Sequence, residues 1–181
     1  MPPDNYRKPA SIDSFATARL TAERLRQDHL DDLVDLHLDE EVSRYLGGTR
    51  TAAQTAAYLE ANLAHWDQRG FGLWVIRDWE GRFLGRAGIR PLDIQGVPEI
   101  EIAYTFHRAA WDQGYASEIA EALRDVAFGP LELPELVGIA MIENRPSRRV
   151  LEKTGFVFER TYVEHGHELD LLRMPNPGLV A

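Results

Sequence analysis

The stretch from Glu99 to Phe128 changes its hydrophobic period in the middle, and this change constrains the fold more than any other part of the sequence. As far as Phe106, apolar and polar residues alternate, which is the two-residue repeat of a half-buried strand. After Gly114 the apolar residues fall at helical spacing and form one face, made of Ala116, Ile119, Ala120, Leu123 and Ala127. We therefore predict a strand, a loop and a helix in this order.

The loop between them, residues 107–114, is a candidate anion-binding site. Gly114 lets the backbone come close to a ligand. The first N–H groups of the helix, which belong to Tyr115, Ala116 and Ser117, would point toward that ligand. A helix start is equivalent to roughly half a positive charge, which is worth about 0.3–2 kcal/mol to an anion. From this stretch alone, an ordinary strand-to-helix turn is an equally good interpretation.

Two sequence runs carry a family resemblance. The run W-D-Q-G-Y-A-S-E, which starts at Trp111, resembles the coenzyme A pyrophosphate loop of the GNAT superfamily of N-acetyltransferases, and more narrowly of the branch that includes the ribosomal-protein alanine N-acetyltransferases. The run E-N-R-P-S-R-R-V-L-E-K-T-G-F, from Glu143 to Phe156, resembles the second motif of that branch. With the weaker runs T-A-R-L and F-G-L-W, the resemblance covers about Thr17 to Met174. It implies an enzyme that uses acetyl-CoA.

The sequence departs from the family pattern at two positions. Asp112 stands where the family's loop usually has its first glycine. Aspartate tolerates left-handed backbone better than most residues, although a carboxylate beside a pyrophosphate is unfavourable. Leu151 stands where many members have a tyrosine that is taken as the general acid, and leucine cannot give a proton.

The resemblance also implies where the coenzyme binds. A backbone N–H at the end of the central strand would meet the thioester oxygen, and the pantetheine arm would lie between this strand and the strand that starts at Leu136. The coenzyme-binding residues implied in this way are Tyr104, Thr105, Phe106, Arg108, Gln113, Gly114, Tyr115, Ala116, Ser117, Asn144, Ser147 and Lys153. A positive patch for the anionic coenzyme could come from Arg108, Arg145, Arg148, Arg149 and Lys153, although a solvated surface charge is the simpler interpretation of each one.

Acetylation of an amine needs a group that removes a proton and a group that supplies one to the leaving thiolate. Glu101 is the first candidate for the base and Glu99 the second, since their spacing of two places them on one strand face. Both could instead be exposed carboxylates. Ser147 is the candidate for orienting or protonating the thiol, and its alternative role is to cap a helix. Asn144 could contact the pantetheine amides or cap the same helix.

Charge and cysteine content exclude several kinds of function. The 20 basic and 29 acidic residues give a net charge of −9, which disfavours nonspecific nucleic-acid binding and leans toward a cationic peptide or small-molecule amine as acceptor. Without cysteine, the sequence has no disulfide, no thiolate metal site and no cysteinyl acyl-enzyme. His37 and His65 have no partner at ligand spacing, so we expect no metal site. We interpret both as packing or surface histidines.

The length and the remaining patterns predict one domain. The 181 residues suggest a loose tail over 1–14, a single domain over 15–175 and a short tail over 176–181. No apolar run approaches the ~20 residues that span a bilayer, and the start lacks the apolar core of a signal peptide. We therefore expect a cytoplasmic protein without membrane association. A homodimer is consistent with the resemblance.

The fold class predicted is α/β (α+β), a mixed and mostly antiparallel GNAT-like sheet of about six or seven strands with about four helices. A first strand is expected within Phe15–Arg26, and a first helix from Asp28 buries Leu30, Leu33, Val34 and Leu38. Thr51 and Gln54 have the spacing of a capping box, Gly70 ends that helix, and Pro91–Pro98 is expected to be a loop. The further elements predicted are strands at Phe71–Arg77, Phe83–Ile89, Leu136–Ile142, Phe156–Val163 and His167–Met174, and a helix at Pro146–Thr154.

Three functional hypotheses follow. The first is an N-acetyltransferase that moves an acetyl group from acetyl-CoA to a primary amine, on a peptide or protein N-terminus or on a small molecule, by direct attack without a covalent enzyme intermediate. The second is a noncatalytic acyl-CoA-binding or regulatory domain on the same fold, and the third is a structural protein that has lost the coenzyme site. An NAD enzyme is disfavoured because the G-x-G-x-x-G pattern is absent.

Overall fold

The computed structural model describes residues 11–179. In this part of the chain eight strands form one sheet in the order β1-β2-β3-β4-β5-β6-β8-β7, in which β5 and β6 pair in parallel. The strands are β1 Ser14–Ala16, β2 Leu20–Arg24, β3 Leu73–Asp78, β4 Phe83–Ile94, β5 Val97–Phe106, β6 Glu135–Met141, β7 Val157–Glu164 and β8 His167–Pro175. The helices are α1 Leu30–Leu38, α2 Glu40–Ser43, α3 Ala52–Arg69, α4 Tyr115–Phe128 and α5 Arg145–Thr154. The mixed, mostly antiparallel α/β fold is confirmed.

The segment predicted as one strand over Phe15–Arg26 is two strands. A tight turn separates them, in which Thr17 N–H donates to Leu20 O at 2.9 Å and Leu20 N–H donates to Thr17 Oγ1 at 3.0 Å. The chain then folds back in antiparallel register, with Ser14 opposite Glu23. Residues 1–10 of the predicted tail, and residues 180 and 181 of the other, lie outside the described residues.

The prediction of a loop at Pro91–Pro98 is wrong. The strand β4 continues to Ile94, and β5 starts again at Val97. Only Gln95 and Gly96 turn the chain, with φ of 53° and 86°, and Asp93 Oδ1 accepts the N–H of Gly96 at 2.8 Å. Two successive residues with positive φ form the tight hairpin turn that matches the twist of paired strands. The two prolines suggested a loop because proline donates no ladder hydrogen bond.

The chain divides into two compact units, the first made of residues up to Gly88 with Tyr104–Tyr115, and the second of Ile89–Ala103 with the residues from Ala116 onward. In the first unit the predicted capping box is confirmed, because Thr51 N–H donates to Gln54 Oε1 at 2.8 Å and Gln54 N–H donates to Thr51 Oγ1 at 3.2 Å. The helix α3 ends at Gly70, which has a left-handed φ of 75°.

The core of the first unit lies between its helices and strands. Trp66 of α3 packs edge-on against Trp74 of β3, with ring centres 5.0 Å apart, and both side chains are fully buried. In α1 the buried residues are Leu33, Leu36 and His37. The expectation that Leu38 faces the core is wrong, since it is 51% exposed at the end of the helix.

His37 is buried in the first unit with both ring nitrogens hydrogen-bonded. Arg86 Nε–H donates to His37 Nε2 at 3.2 Å, so the ring proton lies on Nδ1, which contacts Thr55 Oγ1 at 3.1 Å. Burial, and then the charges of Arg86 and Arg50, lower the pKa of His37 from 6.5 to about 3. His37 is therefore neutral near pH 7, and it is a packing histidine, one of the two interpretations offered for it.

In the second unit α4 buries Ile119, Ala120, Leu123 and Ala127, as the helical spacing predicts. The helix α5 packs on β6, where the Leu151 side chain lies against Gly138. A Cβ on Gly138 would lie 2.5 Å from Leu151 Cδ2. The Leu151 side chain therefore fits against β6 only because position 138 is a glycine. Among the described residues, no helix is both long and apolar enough to cross a membrane.

The neutral His37 makes the stability of the fold depend on pH. Its pKa is about 3 in the folded chain and near 6.5 when unfolded, so its stabilising contribution is complete above pH 6.5 and decreases as the pH falls toward 3. We expect the free energy of unfolding to fall by up to about 1.4 kcal/mol per pH unit below pH 6 from this residue. Urea unfolding at pH 7.5, 6.0 and 5.0 measures it.

The variant His37→Gln should lose part of this dependence, since glutamine does not titrate. Burial, and then the charge of Arg69, lower the pKa of His65 to about 4. His65 therefore contributes in the same pH range, and the rest of the pH dependence remains in His37→Gln. The exposed His167 offers a matched control, because His167→Gln should leave the dependence unchanged. An identical decline in wild type and His37→Gln would contradict the assignment.

Candidate active site

The loop after β5 contains two left-handed residues directly before the start of α4. A short 3-10 turn at Arg108–Ala110 follows the strand, and Trp111 Nε1–H donates to Phe106 O at 2.9 Å. Asp112 and Gly114 then take left-handed conformations, with φ of 58° and 79°. Asp112 therefore adopts the conformation that the sequence suggested it could tolerate. The helix α4 begins directly afterwards, at Tyr115.

The end of β5 is held closely against β4 in the first unit. A Cβ on Gly85 would lie 2.1 Å from Thr105 O and 2.8 Å from Phe106 Cα, so only glycine allows this approach. His107 N–H donates to Leu84 O at 2.8 Å just beyond it. Thr105 and Phe106 are buried and Tyr104 is half-buried. These are the predicted residues whose backbone would meet the thioester.

Arg19 contacts the loop, and the site residues predicted from the sequence did not include it. Its Nη1–H donates to Gln113 O at 2.8 Å, and its guanidinium carbon lies 4.6 Å from the centre of the Tyr115 ring. A Cβ on Gly114 would lie 3.4 Å from Arg19 Nη2. The structure thus brings Gln113, Gly114 and Tyr115 together under one cation. The signal for it was the run T-A-R-L, which contains Arg19.

Two of the arginines expected to form a positive patch have carboxylate partners. Arg108 Nε donates to Asp39 Oδ2 at 2.9 Å, and Asp39 also accepts from the first N–H groups of α2. Arg148 donates to Glu152 at 2.9 Å and to Asp170 within the second unit. The other predicted cations are exposed on α5, namely Arg145, Arg149 and Lys153.

Glu101 is a buried, ion-paired carboxylate. It is 6% exposed, and Arg90 Nε–H donates to its Oε1 at 2.5 Å. The alternative that Glu101 is an exposed surface carboxylate is therefore wrong. Glu99 is also paired, with Arg173 Nη2 at 2.7 Å from its Oε1. Arginines thus hold both base candidates, and no local pattern in the sequence indicated these partners.

The start of α5 decides which of two residues caps that helix. Asn144 Oδ1 accepts the N–H of Ser147 at 3.2 Å, so Asn144 is the cap. The alternative interpretation of Ser147 as the cap is wrong, because it lies at the third helical position. One turn later Leu151 is 1% exposed, in contact with β6 rather than with solvent. Ala116 and Ser117 are half-buried in the first turn of α4.

Tyr162 of β7 is the buried tyrosine of the second unit. Its hydroxyl has no hydrogen-bond partner among the described residues. Burial, and then the charges of Glu164 and Glu101, raise the pKa of Tyr162 to about 12. A phenol with this pKa is a poor proton donor near pH 7. Within residues 11–179, no three histidine, aspartate or glutamate side chains are grouped so as to hold a metal ion.

Comparisons with known proteins place this architecture in a family. The acetyltransferase (GNAT) domain model matches residues 19–157. The protein YkkB of Bacillus subtilis is 31% identical over 153 residues, which are 81% of this chain and 89% of YkkB. The FsC-acetyl coenzyme A-N(2)-transacetylase of Aspergillus fumigatus is 31% identical over 157 residues, which are 81% of this chain and 66% of that protein.

Solved structures agree with these relatives. The acetyltransferase from Agrobacterium tumefaciens superimposes with a TM-score of 0.80 at 30% identity, covering 91% of this chain and 95% of that one. Spermidine N-acetyltransferase from Vibrio cholerae, solved with CoA and spermine, shares the fold at 17% identity and a TM-score of 0.72, covering 87% of this chain and 95% of that one. The family model and the relatives show that the chain belongs to the GNAT family and is an acetyl-CoA-dependent acetyltransferase.

Proposed function

We propose that this chain transfers the acetyl group of acetyl-CoA to a primary amine, by direct attack of the amine on the thioester. The observation that carries the proposal is the loop at the start of α4, in which Asp112 and Gly114 are left-handed and Arg19 binds the Gln113 carbonyl. This arrangement supports binding of the coenzyme's pyrophosphate at the helix start. The acceptor would be a peptide or protein N-terminus or a small-molecule amine.

The residues of the loop fit an anionic group. Gly114 has no side chain to block the approach, and the first N–H groups of α4 supply the positive end of the helix dipole. Asp112 works against anion binding through its charge, whereas Arg19, in the turn between β1 and β2, brings a positive charge to the loop. Because it is paired with Asp39, Arg108 would contribute little to binding of the coenzyme.

Transfer forms a C–N bond, breaks the C–S bond, takes one proton from the amine and gives one to the thiolate. A backbone N–H at Tyr104–Phe106 would donate to the carbonyl oxygen as charge develops there, a role that Gly85 supports by fixing the strand end. The sequence contains no cysteine that could carry the acetyl group. Positioning of the two reactants can account for a large part of the rate.

Glu101 is the proposed proton acceptor, with Arg90 holding its carboxylate in one orientation. How much a base matters depends on the amine. About a tenth of a peptide α-amino group with a pKa near 8 is neutral at pH 7, against a fraction of ~0.0004 for lysine. Ser147, at the start of α5, would orient the thiol or pass it a proton through water.

The proposed class of acceptor is supported by the net charge of the chain and by proteins of the same fold. The net charge of −9 favours a cationic acceptor. Among proteins of this fold, one is a spermidine N-acetyltransferase and another modifies the N-terminal serine of a ribosomal protein. We propose an amine of this range as acceptor, with the reaction in the cytoplasm and a homodimer as the assembly.

Coenzyme affinity tests the loop assignment. Arg19→Gln should weaken acetyl-CoA binding by about tenfold, since it removes a positive charge and a charge-assisted hydrogen bond. Asp112→Gly should strengthen binding, because it removes a negative charge and leaves a residue suited to positive φ. Titration calorimetry with acetyl-CoA measures both.

Arg108→Gln is the matched control, since that guanidinium is paired with Asp39 and its loss should change the affinity little. Arg19→Lys should recover part of the affinity, because lysine keeps the charge without the planar stacking. Equal losses in Arg19→Gln and Arg108→Gln would contradict the special role of Arg19. Absence of acetyl-CoA binding by the native chain would overturn the proposed function.

Glu101→Gln should lower kcat by about 10²–10⁴-fold for acceptors whose pKa is near 10, and by much less for α-amino groups. Release of free thiol follows the reaction without interference from cysteine in the protein. Acetyl-CoA affinity should stay unchanged.

Glu99→Gln provides the comparison, because it removes the neighbouring ion-paired carboxylate and should lower stability rather than kcat. If Glu101→Gln keeps the native kcat for both kinds of acceptor, Glu101 is not the base. If both glutamate variants lose activity together with folded structure, measured by circular dichroism, Glu101→Asp replaces Glu101→Gln in the comparison.

A further inference from the structure

Two arginine side chains stack on one tyrosine in the first unit. The guanidinium carbon of Arg50 lies 5.0 Å from the centre of the Tyr58 ring, and that of Arg86 lies at the same distance. The ring of His37 makes an edge contact with Tyr58, with centres 5.2 Å apart. Arg86 is 3% exposed, whereas Arg50 and Tyr58 are half-buried, so the group reaches from the interior toward the surface.

Two donors of this cluster have no acceptor within the described part of the chain. Arg50 Nη1 and Tyr58 Oη are both buried, and no group of the described residues hydrogen-bonds either atom. Over residues 11–179, no carboxylate forms an ion pair with Arg50. Buried donors and charges are unfavourable without partners, so these two atoms point to an acceptor that residues 11–179 do not supply.

His37 cannot be that acceptor. Its Nε2 already accepts from Arg86, and its Nδ1 contacts Thr55 Oγ1. Because His37 is also neutral near pH 7, it does not balance the charge of Arg50 either. A negatively charged ligand would balance this group.

We propose that Arg50 and Tyr58, backed by Arg86, form a binding site for a carboxylate. One N–H of Arg50 and the hydroxyl of Tyr58 are two unused donors, which match the two oxygens of one carboxylate. A phosphate would bring further oxygens for which these two atoms offer no donor. Stacking on the Tyr58 ring keeps both guanidinium groups near the ligand.

The carboxylate could belong to the acceptor amine or to a separate small anion. In the first case the acceptor carries a carboxylate as well as an amine, an inference that rests on the proposed acetyl transfer. In the second case the site binds its anion whether or not transfer occurs. Two arms of one experiment distinguish these sources.

The first arm measures thermal unfolding of the full chain in sodium formate or sodium acetate, against sodium chloride at equal ionic strength. We expect the wild-type Tm to rise by about 3–6 °C at tenfold excess over Kd, and to approach saturation. Arg50→Gln and Tyr58→Phe should each lose this rise. Without carboxylate, Tyr58→Phe should unfold at the wild-type temperature or above it, since it removes a buried donor that has no partner.

Matched controls lie next to the site. Arg44 is exposed and stacks on Tyr45 at 5.7 Å, so Arg44→Gln changes the net charge equally and Tyr45→Phe removes a comparable hydroxyl. Both controls should keep the wild-type response to carboxylate. If the control variants also lose the rise in Tm with carboxylate, the rise is a general charge effect and the proposed site is wrong.

The second arm compares 4-aminobutanoate with 4-aminobutanamide as acceptors, by thiol release. If the acceptor supplies the carboxylate, the wild-type KM is lower for 4-aminobutanoate than for 4-aminobutanamide. In Arg50→Gln the KM for 4-aminobutanoate then rises to that for 4-aminobutanamide. If only the Tm response changes, the ligand is a separate anion.

A wild-type Tm that does not respond to carboxylate beyond chloride overturns the proposal. So does a response that Arg50→Gln and Tyr58→Phe leave unchanged. The first arm needs no turnover, so a failure of the proposed acetyl transfer shows itself separately, as absent acetyl-CoA binding or absent thiol release.

Discussion

The end of the central strand depends on the absence of a side chain at Gly85. Any Cβ there would collide with the backbone of Thr105 and Phe106, so β4 and β5 approach each other at a distance that only glycine allows. The hydrogen bonds of His107 N–H and Trp111 Nε1–H then hold the chain as it leaves the strand. The chain enters the left-handed loop and then α4 directly after this fixed point.

Arginines form ion pairs with several glutamates of this acidic chain. Along β5, Glu99 and Glu101 each bind an arginine, and Arg173 also contacts Glu135 and Glu159. Such pairs are worth little when exposed, but partly buried they restrict which orientation each carboxylate takes. Arg50 differs because its charge is stacked on an aromatic ring without an ion pair among the described residues.

Local chemistry was readable from the sequence, and distant contacts were not. The capping box at Thr51 and the helix end at Gly70 depend on a few neighbouring residues, so the sequence alone predicted both. The long β4–β5 hairpin was not predicted, because Pro91 and Pro98 suggested a loop where only two residues turn the chain. Arg19 and Gln113 are 94 residues apart, and nothing short of the fold brings them together. Asn144 and Ser147 are both capping residue types, so the choice between them needed coordinates.

The contact between Leu151 and Gly138 bears on how this enzyme can change over evolutionary time. The leucine fills the space that a residue without a side chain leaves on β6, and each of the two shapes is fitted to the other. A tyrosine at position 151 would have to displace neighbours in a closely packed interior, so Leu151→Tyr alone would strain the packing of α5 on β6. Positions 138 and 151 are therefore expected to change together rather than one at a time.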